Sequence, residues 1–458
     1  MAIPVDTEVA TKPYLVHLTN CRLVRGSELV NGDLWIDSKS GKIIDTPNIV
    51  DRLLQKHRTV NLHGKILAPG FIDVQINGWQ GVDFSIPAAT KKEFDVGLRR
   101  ISQSLIKTGV TSFLPTMTSQ AADVYHKILP SLVPSGSTRN PHDGTESLGA
   151  HVEGPFISPK RNGIHCSGVL TAVSNGISDL EDRYGATNLW GSSSNSARSS
   201  NVSEPQTPNS SNVSEISNSP SIPAIKMMTA APEVGTIAEL IPRLTSSNIV
   251  FSIGHSDATL SEATIALKSG ATMVTHLFNA MRPFAHREPG IIGTLNLDEI
   301  SKRPYFGIIA DGIHNHPVAV RMAHAMRPEG MILVTDAMMY AGLDDGYYPW
   351  TNGEFVTKKG THLILERTGG IAGSAVTLMD CVNNLLEWTN CDIAEAIGAV
   401  TTTPAKMLKL GNTKGSLIEG ADADLVVLDD TRSQGKRLVV DQVWKFGVPV
   451  FNMGKTGK

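Results

Sequence analysis

Cysteine is scarce in this chain: Cys21, Cys166, Cys381 and Cys391 are the whole supply in 458 residues, and no two form a CxxC pair. That excludes a disulfide framework, and the four read as reduced thiols of a cytosolic protein. Basic runs are missing too. Net charge is −3, so the electrostatic footprint of nucleic-acid binding is absent. No run of 18 apolar residues occurs, so no membrane-spanning helix is expected. The opening stretch "MAIPVDTEVATKPYLVHLTN" lacks a basic n-region followed by an apolar one, so no signal peptide is expected and the location expected is the cytoplasm. What is present is ordinary globular composition, 41% hydrophobic and 19% charged, enough for one large domain and a smaller one.

One segment is foreign in composition. From Gly191 to Pro220, 12 of 30 residues are Ser and 5 are Asn. Ordering it would cost entropy with almost no apolar surface to bury. A disordered insertion is expected over 178–221. Its Ser-Pro and Thr-Pro dipeptides leave open a phosphorylated regulatory loop.

Outside it, eight short apolar runs recur: "APGFIDVQIN", "VTSFLPTM", "LGAHVEGP", "AIKMMTAAPE", "NIVFSIGHS", "ATMVTHLFNAM", "YFGIIADGIH" and "MILVTDAMM". Continuous rather than alternating apolar runs suggest strands buried on both faces. Helical stretches lie between most of them. "KKEFDVGLRRISQSLIKTG" and "ATLSEATIALKSG" both stop at Gly, and Ser256-Asp257 is a plausible N-cap for the second. The reading is α/β: a (β/α)8 TIM-type barrel over 68–407. An open doubly wound sheet is the alternative, but it would want a Gly-rich phosphate loop after its first strand, and "DVQINGWQG" is not one. Short strands at both ends of the chain, such as "YLVHLTNCRLV" and "ADADLVVLDD", suggest a small β-sandwich built from 1–67 and 408–458.

Barrels of this type carry their active sites at the C-terminal ends of the strands. Glu153, His255, His276, His314 and Asp336 each follow an apolar run directly. Any one alone reads as structural. Five on successive strand ends must converge on one mouth. Glu, His and His with an open position make a catalytic rather than a structural zinc site. Such a metal lowers the pKa of a bound water to about 7. Asp336 is the candidate base that takes the water's proton and returns it to the leaving group.

The motifs "PGFID", "HVEGPF", "TAAPE", "GHS", "THLFNAM", "REPG", "ADGIH" and "LVTDA" resemble the amidohydrolase superfamily, and within it the N-acetylglucosamine-6-phosphate deacetylase family. The resemblance covers nearly the whole chain outside the Ser-rich segment. It implies that Glu153, His255 and His276 bind one divalent cation, zinc first among candidates, and that Asp336 is the catalytic acid/base. It implies that His165 polarises the acetyl carbonyl beside Ile164. Asn279, Ala280, Arg287 and His314 would hold the sugar phosphate, and Ile371, Ala372 and Gly373 would line the pocket. In the family an arginine at the place of Arg287 reaches across a dimer interface, so a homodimer is expected. Many amidohydrolases carry His-x-His on the first strand and bind two metals. Here Gln75 and Asn77 stand there, which points to one metal and leaves a second, weaker one open. Other functions kept open are another amidohydrolase, such as a cyclic-amide hydrolase or nucleobase deaminase, and a catalytically silent sugar-phosphate-binding regulator.

Overall fold

The structure is a computed structural model that describes residues 15–45, 57–192, 222–298, 303–350 and 353–455. All eight apolar runs are strands: Phe71–Ile76, Val110–Met117, Ala150–Glu153, Ile225–Ala230, Val250–Ile253, Met273–Val274, Tyr305–Ile308 and Met331–Leu333. Neighbours pair in parallel from the first to the eighth. The ring closes beyond the ladder, where Asp336 N–H donates to Gln75 O (2.9 Å) and Asn77 N–H to Ala337 O (2.8 Å). Fully buried Asp73, of "PGFID", adds a side-chain staple by accepting the Thr335 hydroxyl at 2.6 Å.

The two buried faces of most strands serve different cores. Ile72, Val74, Leu114, Met227, Val250, Met273, Ile332 and Val334 form one cluster, with Ala405, Met407 and Leu408 of a C-terminal helical turn packed into it. Phe71, Ile76, Phe113 and Met117 belong instead to the larger cluster shared with the surrounding helices. Helix Lys91–Leu105 shows how local chemistry sets these layers. Thr90 and Glu93 make a reciprocal capping box, and Phe94, Ile101 and Leu105 are the buried positions. Its extension ends at Gly109, φ +94°, where a Cβ would stand 2.8 Å from the Phe71 ring.

The chain ends meet in one eight-stranded sheet. Its order runs Val448–Asn452, Leu438–Lys445, Leu425–Asp430, Ile66–Pro69, Leu15–Arg25, Glu28–Asp37, Lys42–Ile44, and His57–Asn61 also pairs with Leu15–Arg25. Leu425 and Val427 face a separate terminal core, whereas Val426 and Leu428 join the barrel cluster. The period of two thus glues sheet to barrel.

Three expectations need correction. The segment 178–192 is ordered: helices Ile177–Tyr184 and Ala186–Trp190 bury Leu180, Tyr184 and Leu189. These apolar residues at helical spacing outweigh the polar ones around them; the rest of the expected insertion, 193–221, lies outside the described residues. The helix Leu260–Lys268 is capped by Thr259 with Glu262, not by Ser256-Asp257. Those two are held instead by Glu233, which accepts from the Ser256 hydroxyl (2.7 Å) and the Asp257 N–H (2.6 Å). Finally, a four-stranded antiparallel sheet, Gly346–Pro349, Phe355–Lys359, His362–Leu365 and Ile371–Ser374, was not foreseen. It docks beside the eighth strand's end through Met338 N–H to Ser374 O, 2.9 Å.

Candidate active site

Glu153 ends the third strand, His255 follows the fifth and His276 the sixth. All three are buried, and their side chains converge. Glu153 Oε1 lies 3.3 Å from His255 Nε2 and 3.1 Å from His276 Nε2, and the two imidazole nitrogens are 3.0 Å apart. His255 and His276 hold left-handed backbone, φ 49° and 27°, as does Asp336 at 47°. Such conformations cost about 1–3 kcal/mol each and cluster at working sites.

The outer contacts set which nitrogen carries a proton. His255 Nδ1 faces the Arg161 carbonyl at 2.8 Å, so Nδ1–H donates and Nε2 turns a lone pair inward. Gly163 permits this closeness: a Cβ there would sit 3.3 Å from the ring. His276 Nδ1 has no hydrogen-bond partner among the described residues. The three inward atoms, one carboxylate oxygen and two imidazole nitrogens, can each offer a lone pair to a cation once the protons they share are released. Burial alone would raise the Glu153 carboxyl, but hydrogen bonds with His255 and His276 hold it well below the usual range. Burial alone would lower His276, but the hydrogen bond and charge of Glu153 hold it above its usual value. A tetrahedral zinc with bonds of about 2.0–2.1 Å sets its donors about 3.3 Å apart. The observed triangle fits that group.

His165 is different. Glu153, His165 and His255 also offer ligand atoms within 4.8 Å of one another. Yet the Ser119 N–H donates to His165 Nδ1 at 3.1 Å, so Nε2 must carry the ring proton of the neutral form. Burial, then the charge of His255, push this imidazole down to about 3, so it is neutral. Its Nε2–H stands 3.8 Å from Glu153 Oε2, too far for a good hydrogen bond. It is a donor aimed into the site rather than a ligand.

Asp336 completes the mouth. Its Oδ1 accepts from Asn77 Nδ2 (2.6 Å) and Gln75 Nε2 (3.3 Å). Its other oxygen has no hydrogen-bond donor among the described side chains. Burial, then the Glu153 charge, push this carboxyl up to about 6. Gln75 also donates to Glu153 Oε1 at 3.0 Å. So the residues at the His-x-His places point N–H groups at the carboxylates, where imidazole would point a lone pair. The sequence had marked them only as missing ligands.

The remaining expected contacts divide. His314 is gathered in: its Nδ1 is 2.7 Å from Asp311 Oδ2, and its charge is near enough to pull Asp336 down. Asp311, buried in "ADGIH", also takes the N–H of Ile313 and His314, both at 2.8 Å. This positioning carboxylate was missed, although it stands three residues before His314. Asn279 follows His276 and donates to Asn315 Oδ1 at 3.3 Å; Ala280 beside it is left-handed, φ 48°. Arg287 is exposed and is not drawn to the ligand cluster. Its neighbour Arg282 is engaged with Asp257 (3.2 Å) and the Asp257 carbonyl (2.8 Å). Ile164 and Ile371 are exposed, whereas Ala372 is buried and Gly373 lies on the strand beside Met338.

Two further features carry the site without touching it. His151 points the same way as Glu153, one layer deeper, and its Nε2 meets the Thr229 hydroxyl at 2.7 Å. Thr229 continues to Thr275 (2.7 Å) and Thr275 to Ser252 (2.5 Å), a polar belt inside the barrel. Tyr125 and Tyr184 both donate to the Gly154 carbonyl, at 2.8 and 2.9 Å, fixing the turn after Glu153.

A model of the amidohydrolase family matches residues 66–450. An N-acetylglucosamine-6-phosphate deacetylase of Mus musculus is 38% identical over 441 residues, covering 94% of this chain and 96% of its own. The Bacillus subtilis protein of that name is 33% identical over 366 residues, covering 79% of this chain and 80% of its own. Among solved structures, the Pasteurella multocida deacetylase superposes with a TM-score of 0.74 at 24% identity, over 95% of this chain and 99% of that one. A mutant of the Mycobacterium smegmatis deacetylase, solved with N-acetyl-D-glucosamine-6-phosphate, gives 0.71 at 25% identity over 96% of this chain and 100% of that one. The chain belongs to the amidohydrolase family and, within it, to the N-acetylglucosamine-6-phosphate deacetylases.

Proposed function

We propose that the chain hydrolyses N-acetyl-D-glucosamine 6-phosphate to D-glucosamine 6-phosphate and acetate with one divalent cation, zinc, held by Glu153, His255 and His276. The observation that carries this is the triangle of three ligand-type atoms with edges of 3.0–3.3 Å. When bound, the cation acidifies a water and polarises the acetyl oxygen. Asp336 has one oxygen tied by Asn77 and Gln75 and one left to take the water's proton. A carboxyl pushed up to about 6 returns that proton readily to the departing amine. His165, a neutral donor, stabilises the negative charge that grows on the acetyl oxygen.

Asn279, the Ala280 backbone and His314, turned by Asp311, hold the sugar phosphate, and Ile164 with Ile371, Ala372 and Gly373 line the sugar. Arg287 supplies its guanidinium to the site of a second protomer in a homodimer. Its exposure, and that of Phe284 in the same loop, supports that reading. The four free thiols suit work in the cytoplasm.

Metal analysis combined with acetate release on phosphorylated and unphosphorylated N-acetyl hexosamines tests the proposal. Wild type is expected to hold metal and prefer the 6-phosphate, and His276→Ala to lose metal and turnover together. Full metal occupancy in His276→Ala would sink the ligand assignment.

A further inference from the structure

A second set of metal-ligating atoms lies on the outer helices. His324 is in the last turn of helix Pro317–Met326, which follows the seventh strand. Cys391 and Glu395 flank the start of helix Ile393–Gly398. His324 Nε2 is 2.8 Å from Glu395 Oε1, and the Cys391 sulfur lies within 4.8 Å of both. We propose that His324, Cys391 and Glu395 form a second metal site that takes a divalent cation of the zinc class and staples these two helices together.

The plain alternative is a helix-to-helix hydrogen bond with a thiol nearby. Three points favour a site. The three donor atoms come from two separate elements and converge. Their kinds differ: thiolate and imidazole select zinc or cobalt, and one carboxylate is too few for magnesium or calcium. All three residues are only half-buried, so an ion can enter from solvent and the displaced protons can leave. The catalytic triangle, by contrast, contains no sulfur. The chemistry of the two sites can therefore be read separately.

Cobalt(II) added to the full-length protein after a chelator has removed bound metal makes that reading, because a zinc ion already in the site would keep cobalt out. A cobalt–thiolate bond gives a near-ultraviolet charge-transfer band that oxygen and nitrogen ligands do not give. The band is expected to saturate within two cobalt per chain, the other ion entering the sulfur-free triangle, to vanish in Cys391→Ser and to persist in Cys166→Ser, which removes the exposed thiol beside His165. Glu395→Gln and His324→Ala are expected to need at least tenfold more cobalt. Cys391→Ser as purified, with its own metal and no added cobalt, is expected to release acetate at the wild-type rate. No band at saturating cobalt overturns the proposal. So does a band that survives Cys391→Ser, one that disappears in Cys166→Ser, or unchanged cobalt affinity in both Glu395→Gln and His324→Ala.

Discussion

Two buried clusters of charge sit in this protein, and they solve the same problem in opposite ways. Where the barrel meets the terminal sheet, Glu146, Asp422 and Asp424 surround Lys414 and Lys445. Lys414 Nζ reaches Asp424 at 2.6 Å, Glu146 at 2.7 Å and Asp422 at 2.9 Å, and Lys445 Nζ reaches Asp424 at 2.8 Å and Glu146 at 3.1 Å. Every carboxylate there has a cation supplied by the chain. Burial alone would raise Asp424, but Lys445 and Lys414 hold it far below its usual value. At the mouth, Glu153 is just as buried and Asp336 is half-buried, and the groups beside them are imidazoles and amides. One cluster is complete as folded. The other is arranged to receive a cation, and a group that is complete cannot also do chemistry.

The sharpest way to break this contrast is Asp336→Asn. If the mouth were only structural, the change would cost stability. Turnover is expected instead to fall about 10²–10⁴-fold, the range for losing a general acid or base, with metal content unchanged. More than a tenth of wild-type activity in the variant would remove Asp336 from the mechanism.

Lys445→Met tests the other cluster. It leaves Asp424 and Glu146 with one cation fewer in a dry place. Breaking a buried pair from one side costs about 3–5 kcal/mol. Urea unfolding should register that loss, while KM for the sugar phosphate should stay near wild type. A stability change under 1 kcal/mol would mean water reaches the junction.

Arg287→Ala asks whether the mouth borrows its remaining positive charge from the loop "NAMRPFAHREPG". Preference for the 6-phosphate over the unphosphorylated sugar is expected to fall by about 1.5–3 kcal/mol, the worth of a hydrogen bond to a charged group. Arg287→Lys should lose part of it, since lysine lacks the planar fork. Equal losses on both substrates would place Arg287 in the loop or the interface, leaving phosphate to His314 and Asn279. The smallest effect is expected from replacing 193–221 with a short Gly/Ser linker. That sequence has almost no apolar surface to lose, so melting temperature and activity should hold within error.

The barrel was legible because strands buried on both faces must be continuously apolar, and the polar residues ending those runs must then meet. Glu153, His255, His276 and Asp336 are visible for that reason. The helices at 177–190 were hidden by the serine around them, and the sheet from Gly346 to Ser374 by its short, mixed strands.

By itself the sequence determined the eight strands, the mouth and the identity of the acids and histidines placed there. Only the tertiary structure decided how each group is used. The Ser119 N–H leaves the neutral His165 ring its proton on Nε2, and the Arg161 carbonyl accepts the Nδ1–H of His255. Gln75 and Asn77 become clamps for the two carboxylates. The physical reason is that an imidazole's tautomer and an amide's role are set by the partner within about 3 Å. Those partners lie 46, 94, 78 and 259 positions away in the chain, where no local pattern can name them.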